Sequence, residues 1–384
     1  MASSRLAEER ELFRESVRSF VDKEVLPRAE ELDEHGRFPD RLFQRLAQLG
    51  YLGLRYPEEV GGQGADFQTA CIFYEELAAG SLSLAAIAAM QSLMGTVFVH
   101  RYGSPDQHER YLKPALRGEK VATFALTEPE AGSDLGALRT RARRTAAGWH
   151  LEGSKTWTTN APVVSFLTVG AKTSDEPGLG NIALFLLDAS TAGFSVGKPI
   201  EKLGTRSSLT SEVSIDCDLP ADALLGNEGE GVKNVGGVLS EIRVMTAALA
   251  VGLGRRALED SALYANDRQA FGKPIGEFQL IAAKLADMAT ELHAARLMTY
   301  DAAAQLDTGA TITTVAAMTK LFATEACAHI VDEATRIYGS YGFAMEYPAQ
   351  RWFRDARFLL YGGGTSEILK GLIGRAALGK QGRV

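Results

Sequence analysis

Phe124-Ala-Leu-Thr-Glu-Pro-Glu-Ala-Gly-Ser-Asp134 is where the texture of this chain changes. A short apolar run breaks into a loop of proline, hydroxyls, small residues and acids, as a strand does when it runs into a turn. Before it, apolar residues recur at helical spacing, as with Phe13, Val17, Phe20 and Val21, between breaks at Pro27, Pro39 and Pro57. After it come short β-type runs at 166–169, 182–187 and 212–215, punctuated by Gly, Pro, Asp and Ser. Helical periodicity returns at Gly231, in segments predicted at 232–266, 279–307 and 312–338, with a short one after Gly364. The expected fold is therefore mainly α with a β insert: a helical domain over 1–120, a β domain over 121–229 and a helical bundle over 230–384.

At 384 residues the chain exceeds what one hydrophobic core supports, in keeping with that division. Its 46% hydrophobic and 23% charged residues are ordinary for a globular protein. A formal net charge of -7 gives no basic footprint for nucleic acid. Cys71, Cys217 and Cys327 are odd in number, far apart and without a CxxC pair, so neither a zinc site nor a disulfide framework is expected. The first ten residues have no apolar signal segment, and no run of 18 apolar residues occurs. The expectation is a cytoplasmic protein with no metal, no membrane and no nucleic-acid partner.

Four segments carry chemistry. In 124–134, Thr127 and Ser133 offer hydroxyls and Ala131 and Gly132 permit close approach to a polar ligand; ordinary turn chemistry reads the same residues as a plain loop. In Gly153-Ser-Lys-Thr-Trp-Thr-Thr-Asn160, an indole among threonines suits a planar heteroaromatic ring, although Trp in a strand is commonly core. In 264–279, Arg268 at a helix end can meet a phosphate or simply complement the helix dipole. Last come Arg336-Ile-Tyr-Gly-Ser-Tyr-Gly-Phe343 and Gly362-Gly-Gly-Thr-Ser-Glu367. Glycines that run into a helix N-terminus can cradle a pyrophosphate, or can mark a helix start capped by Thr365 or Ser366.

Taken together and in this order, the segments resemble those of the acyl-CoA dehydrogenase family over essentially the whole chain. The resemblance implies an N-terminal helical domain, a middle β domain and a C-terminal four-helix bundle, assembled as a homotetramer or homodimer around FAD. It implies that Phe124, Leu126 and Thr127 line the flavin ring with Trp157 and Thr159. Ser133 is expected at the thioester arm, and Arg268, Phe271 and Gln279 at the FAD of a neighbouring subunit. Arg336, Gly339 and Ser340 fall where the family usually has Gln-Ile-Tyr-Gly-Gly, so Arg336 replaces a neutral amide; it can add charge to phosphate binding or make a surface pair. Thr365 and Glu367 match positions near the adenine half of FAD. The implied reaction is α,β-dehydrogenation of an acyl thioester: a carboxylate takes the α-proton and the flavin takes the β-hydride. Electrons then pass to an electron-transfer flavoprotein or to oxygen.

One departure bears on that reaction. Most members carry the catalytic Glu immediately before the Gly-Thr of the last motif, where this chain has Gly363. A minority, isovaleryl-CoA dehydrogenase among them, place it on the helix that opens the C-terminal domain, just before an Arg. Counting back from Arg268 puts that Arg at Arg243 and the alternate base position at Ile242; the nearby carboxylate is Glu241, one helical position or about 100° away. Glu241 is the expected base, and Arg243 and Gly363 are expected to border the substrate. Relatives that oxidise prolyl groups on phosphopantetheinyl carrier proteins use this same helix, so a carrier-bound substrate stands beside CoA. A flavin oxidase or monooxygenase on the same scaffold, and a catalytically silent flavoprotein lacking the base at Gly363, are the rival readings.

Overall fold

The computed structural model describes residues 2–176 and 178–380. In the N-terminal domain, helix α1 (Ala2–Phe20) packs on α2 (Phe67–Gly80), followed by α3 (Leu82–Ala89). Asp66 caps α2 by accepting from the Thr69 N–H, and Ser81 caps α3 through the Leu84 N–H. Every residue of α3 is buried, which is why it shows no amphipathic period.

The middle domain is one sheet of β1 (Ala122–Ala125), β2 (Arg141–Arg144), β3 (Gly148–Thr159), β4 (Phe166–Lys172), β5 (Ile182–Asp188), β6 (Phe194–Pro199), β7 (Thr210–Pro220) and β8 (Leu224–Leu225). Its order is β6-β7-β3-β2-β4-β5-β8, with β1 parallel to β4 through Phe124 opposite Thr168. Residues alternate in and out along β7, as in a strand with one wet face, whereas β4 and β5 are buried on both faces and read as continuous apolar runs.

The C-terminal bundle is built from α4 (Gly231–Asp267), α5 (Gln279–Asp307), α6 (Thr313–Tyr338), α7 (Pro348–Leu359) and α8 (Ser366–Ala377). Helix α4 is its axis, packing on α5, α6 and α7 and also on α2 of the first domain. The backbones of α2 and α4 approach so closely at Gly252 that a Cβ there would lie 2.0 Å from the Glu75 carbonyl oxygen. Two helical stretches, Leu82–Tyr102 and Gly231–Asp267, are long and apolar enough to cross a membrane, but 94% and 78% of their apolar windows are buried inside the protein. All three cysteines are buried and unpaired.

Beside Gly252 lies a buried knot of charge. Glu76 accepts from Arg14 (2.8 Å), from Arg18 (3.0 and 3.1 Å) and from Arg255 (2.6 Å); Glu75 accepts from Arg296 and from the Tyr300 hydroxyl (2.8 Å). These groups come from α1, α2, α4 and α5, so the knot ties the N-terminal domain to the bundle. Burial alone would raise the Glu76 pKa, but the hydrogen bonds of Arg18 and Arg14 and the charge of Arg255 outweigh it and hold the carboxyl below its ordinary range. Glu76→Ala should cost about 3–5 kcal/mol, because it leaves buried guanidiniums uncompensated. A carboxyl with a depressed pKa stabilises above its unfolded-state pKa and loses that contribution as the pH falls. Denaturant titrations should therefore show the gap between wild type and variant closing on acidification.

Candidate active site

The loop that follows β1 is held from behind by a buried ion pair. Lys155 is wholly buried, and its Nζ donates to the Leu126 carbonyl (3.1 Å) and to Glu128 Oε1 (2.7 Å). Glu128 also accepts from the N–H groups of Arg139 (2.5 Å) and Thr140 (2.9 Å), and the Thr127 carbonyl accepts from Thr156 N–H (2.9 Å). Burial pushes the Lys155 pKa down to about 8, with Glu128 pulling against it. This strut leaves Leu126 and Thr127 half-buried, Phe124 stacked on Phe98 at 4.9 Å, and Ser133 exposed.

Trp157 is not a core residue. The β3–β7 register shifts between Lys155 and Thr158, and this bulge gives Trp157 a φ of 56° and turns its ring out to 58% exposure, while Thr156 and Thr158 turn inward. Thr159 stays half-buried, its carbonyl accepting from the Thr123 hydroxyl. The core tryptophan of the sheet is Trp149.

A third region lies at the end of α4. A cleft of ≈ 620 Å³ is lined by Tyr264, Arg268, Tyr338, Gly339, Ser340 and Tyr341, with the Arg268 guanidinium 5.4 Å from the Tyr341 ring centre. Phe271 stands 96% exposed at the tip of the adjoining hairpin with a φ of 52°, and Gln279 is exposed at the start of α5. Arg336 does not line this cleft. Its Nε donates to Asp332 (2.8 Å) one turn back, making the surface pair.

The fourth region is the glycine loop before α8. Gly363 and Gly364 have φ of +72° and +108°, and Thr365 caps α8 by accepting from the Ile368 N–H. Glu367 is exposed in the first turn, held below the usual carboxyl range by its own N–H and the Thr365 hydroxyl. Among the described residues, the N–H groups of Gly363 and Thr365 donate to no protein atom. Free N–H groups at a helix N-terminus suit an anion or a carbonyl oxygen.

Helix α4 crosses this loop with Ile242, Arg243 and Thr246 toward it: a Cβ on Gly363 would lie 3.6 Å from Ile242 Cγ2, 3.7 Å from Arg243 Cγ and 3.8 Å from Thr246 Oγ1. Arg243 is 3% exposed, and its Nε donates to the Gly363 carbonyl (3.2 Å). No described carboxylate pairs with it, and burial pushes its pKa down to about 10. It is a buried cation without a counter-ion.

The expected base lies elsewhere. Because α4 runs unbroken through this stretch, Glu241 is rotated roughly 150° from the mean direction of Ile242, Arg243 and Thr246. Its Oε2 accepts from Arg55 (2.7 Å) and its Oε1 from Arg101, both in the N-terminal domain. Sequence reading missed Arg55, Arg101, Lys155 and Lys320. The last had a usable signal: a lysine in the apolar stripe Ala316, Lys320, Ala323, Cys327, all buried.

Solvent-facing aromatics held in left-handed backbone and a cleft that presents Arg268 are what a flavin dinucleotide needs: ring faces and a phosphate partner. The residues present fit FAD. Family profiles described as acyl-CoA dehydrogenase N-terminal, middle and C-terminal domains match residues 7–119, 123–217 and 229–378. The chain is 46% identical over 372 residues to benzylmalonyl-CoA dehydrogenase of Aromatoleum aromaticum, covering 96% of this chain and 98% of that one. It is 38% identical to 3-(aryl)acrylate reductase of Clostridium sporogenes, covering 94% and 96%. The structure of a glutaryl-coenzyme A dehydrogenase in complex with glutaryl-CoA superimposes with a TM-score of 0.94 at 35% identity, over 97% of this chain and 96% of that one. The chain belongs to the acyl-CoA dehydrogenase family and is an FAD-dependent enzyme that dehydrogenates acyl thioesters.

Proposed function

We propose that the substrate is a CoA thioester with an aryl group on its β-carbon and a carboxylate on its α-carbon, and that this carboxylate leaves as CO2 where other members lose a proton. The observation that carries the reading is the pairing of Gly363 with Arg243: the position of the base holds no carboxylate, and beside it lies a buried guanidinium with no counter-ion. A buried cation of this kind favours an anionic ligand. The relatives' names support the reading, since a benzylmalonyl thioester has a carboxylate on the α-carbon and an arylacrylate is the unsaturated acid that its oxidation and decarboxylation would yield.

Arg243 Nε is already engaged by the Gly363 carbonyl, so the guanidinium offers its Nη edge, with the methyl groups of Ile242 alongside. That edge orients the carboxylate without gripping it in a full fork. When the bond from the carboxyl carbon to the α-carbon breaks, its electron pair moves toward the thioester oxygen. The unbonded N–H groups of Gly363 and Thr365 can receive this charge, so they favour the transition state over the bound carboxylate. FAD, when bound, takes the β-hydrogen with its electron pair, so that substrate and oxidised flavin balance against unsaturated thioester, CO2 and reduced flavin with no proton removed by a base. Electron-transfer flavoprotein is the proposed acceptor of those electrons; one closely superimposable structure is described as that protein's study in Acidaminococcus fermentans.

Anaerobic mixing with benzylmalonyl-CoA should bleach the flavin and release one CO2 per flavin, while 3-phenylpropionyl-CoA, identical but for the carboxylate, should leave it yellow. Equal bleaching by both would sink the reading. Gly363→Glu has room for its Cβ and costs about 1–2 kcal/mol for the left-handed backbone; it should gain slow reduction by 3-phenylpropionyl-CoA.

A second outcome concerns the displaced base. Both oxygens of Glu241 are engaged by guanidiniums, so Glu241→Gln, which keeps one acceptor, should reduce its flavin within a few-fold of the wild-type rate. A loss of about a thousandfold with FAD still bound would reinstate Glu241 as the base.

A further inference from the structure

Lys320 is wholly buried on α6, yet no described carboxylate lies within ion-pairing distance of it. Its Nζ donates to the carbonyl of Leu360, at the end of α7, and to that of Gly364 (3.2 and 2.9 Å). Arg243, from the neighbouring helix α4, holds the carbonyl between them in sequence, that of Gly363. Two buried cations thus grip carbonyls of the loop that carries the unbonded N–H groups. In a trans peptide the C=O and N–H point in opposite directions, so a carbonyl drawn toward a cation turns the following N–H away from it. The grip of Lys320 on the Gly364 carbonyl therefore fixes the N–H of Thr365.

We propose that Lys320 is a positioning residue of the active site, whose ammonium holds the glycine loop so that its free N–H groups stay aimed at the thioester oxygen. The proposal rests on the functional reading above only in taking that oxygen as the acceptor. It gives a reason for a lysine to occupy an apolar stripe, where its desolvation is unfavourable: the loop has three glycines in a row and no side chains of its own to hold it. Arg243 on α4, Glu325 on α6 and Glu367 on α8 are the charged groups that act on the ammonium. Burial lowers its pKa to about 8, with Glu325 and Glu367 pulling up and Arg243 pushing down.

The test uses 3-oxobutyryl-CoA and the FAD-loaded enzyme. This thioester enolises without losing a carboxylate, and its enolate is read by ultraviolet absorbance, so the readout depends on stabilisation of the oxygen and not on decarboxylation. Lys320→Met should hold about tenfold less bound enolate than wild type at neutral pH, while keeping its yellow FAD and thermal midpoint, because a misaimed donor weakens charge stabilisation more than binding. An unchanged enolate fraction would overturn the proposal. Lys320→Arg, which keeps a cation, should restore the enolate. In wild type, the enolate bound relative to that of free thioester should fall as pH rises through about 8, where the ammonium loses its charge, and in Lys320→Arg it should not. If the methionine variant fails to fold, this alkaline comparison decides, and a fall shared by wild type and arginine variant refutes the role. Should wild type bind the enolate normally but ignore benzylmalonyl-CoA, the substrate reading fails and the role of Lys320 stands.

Discussion

Two adjacent glutamates, Glu75 and Glu76, wholly inside the protein, constrain everything else. Each ionised carboxylate in an interior is costly unless well partnered, and here the partners are arginines from three other helices. They can all reach only if α1, α2, α4 and α5 dock in one arrangement. Arg255 belongs to this knot and Arg243 bonds the glycine loop, and both ride on the same helix, 12 residues and so about 18 Å apart. An unbroken helix transmits position along its length, so the knot that docks the first domain also sets which face α4 presents to Gly363.

The arginines around that face divide by whether they have a counter-ion. Arg55 and Arg101 share Glu241 and are electrically satisfied. Arg243, two residues from Glu241 and so on the other side of the helix, has none among the described residues. Glu241 thus neutralises two guanidiniums on one side of α4 and leaves the one on the other side unpaired. Lys320 adds the same sign of charge from the neighbouring helix α6, bonded to backbone carbonyls.

The order of helices, sheet and helices was legible because period 3.6 and period 2 leave different marks, and the long helices begin and end within a residue or so of their expected limits. Strand β2, Arg-Ala-Arg-Arg, was not legible, because only Ala142 faces the core and the arginines face water. Trp157 was ambiguous on sequence alone, since a bulge decides which way it points and register is a property of two strands. That Gly363 stands where most members of the family carry a Glu could be read from the chain directly. The charge around it could not, because the pairing of Glu241 depends on Arg55 and Arg101, far away in the chain. Spacing reports what lies on one helix, not what lies across from it.

The bulge at Trp157 has a spectroscopic consequence. The chain has three tryptophans; Trp149 and Trp352 are sealed in at 2% and 4% exposure, while Trp157 stands open at 58%. Fluorescence accessible to an aqueous quencher therefore comes from a single indole, the one that the family resemblance sets against the flavin. With FAD in that position, shielding of this one emission would report loading of the site, with no label and no turnover.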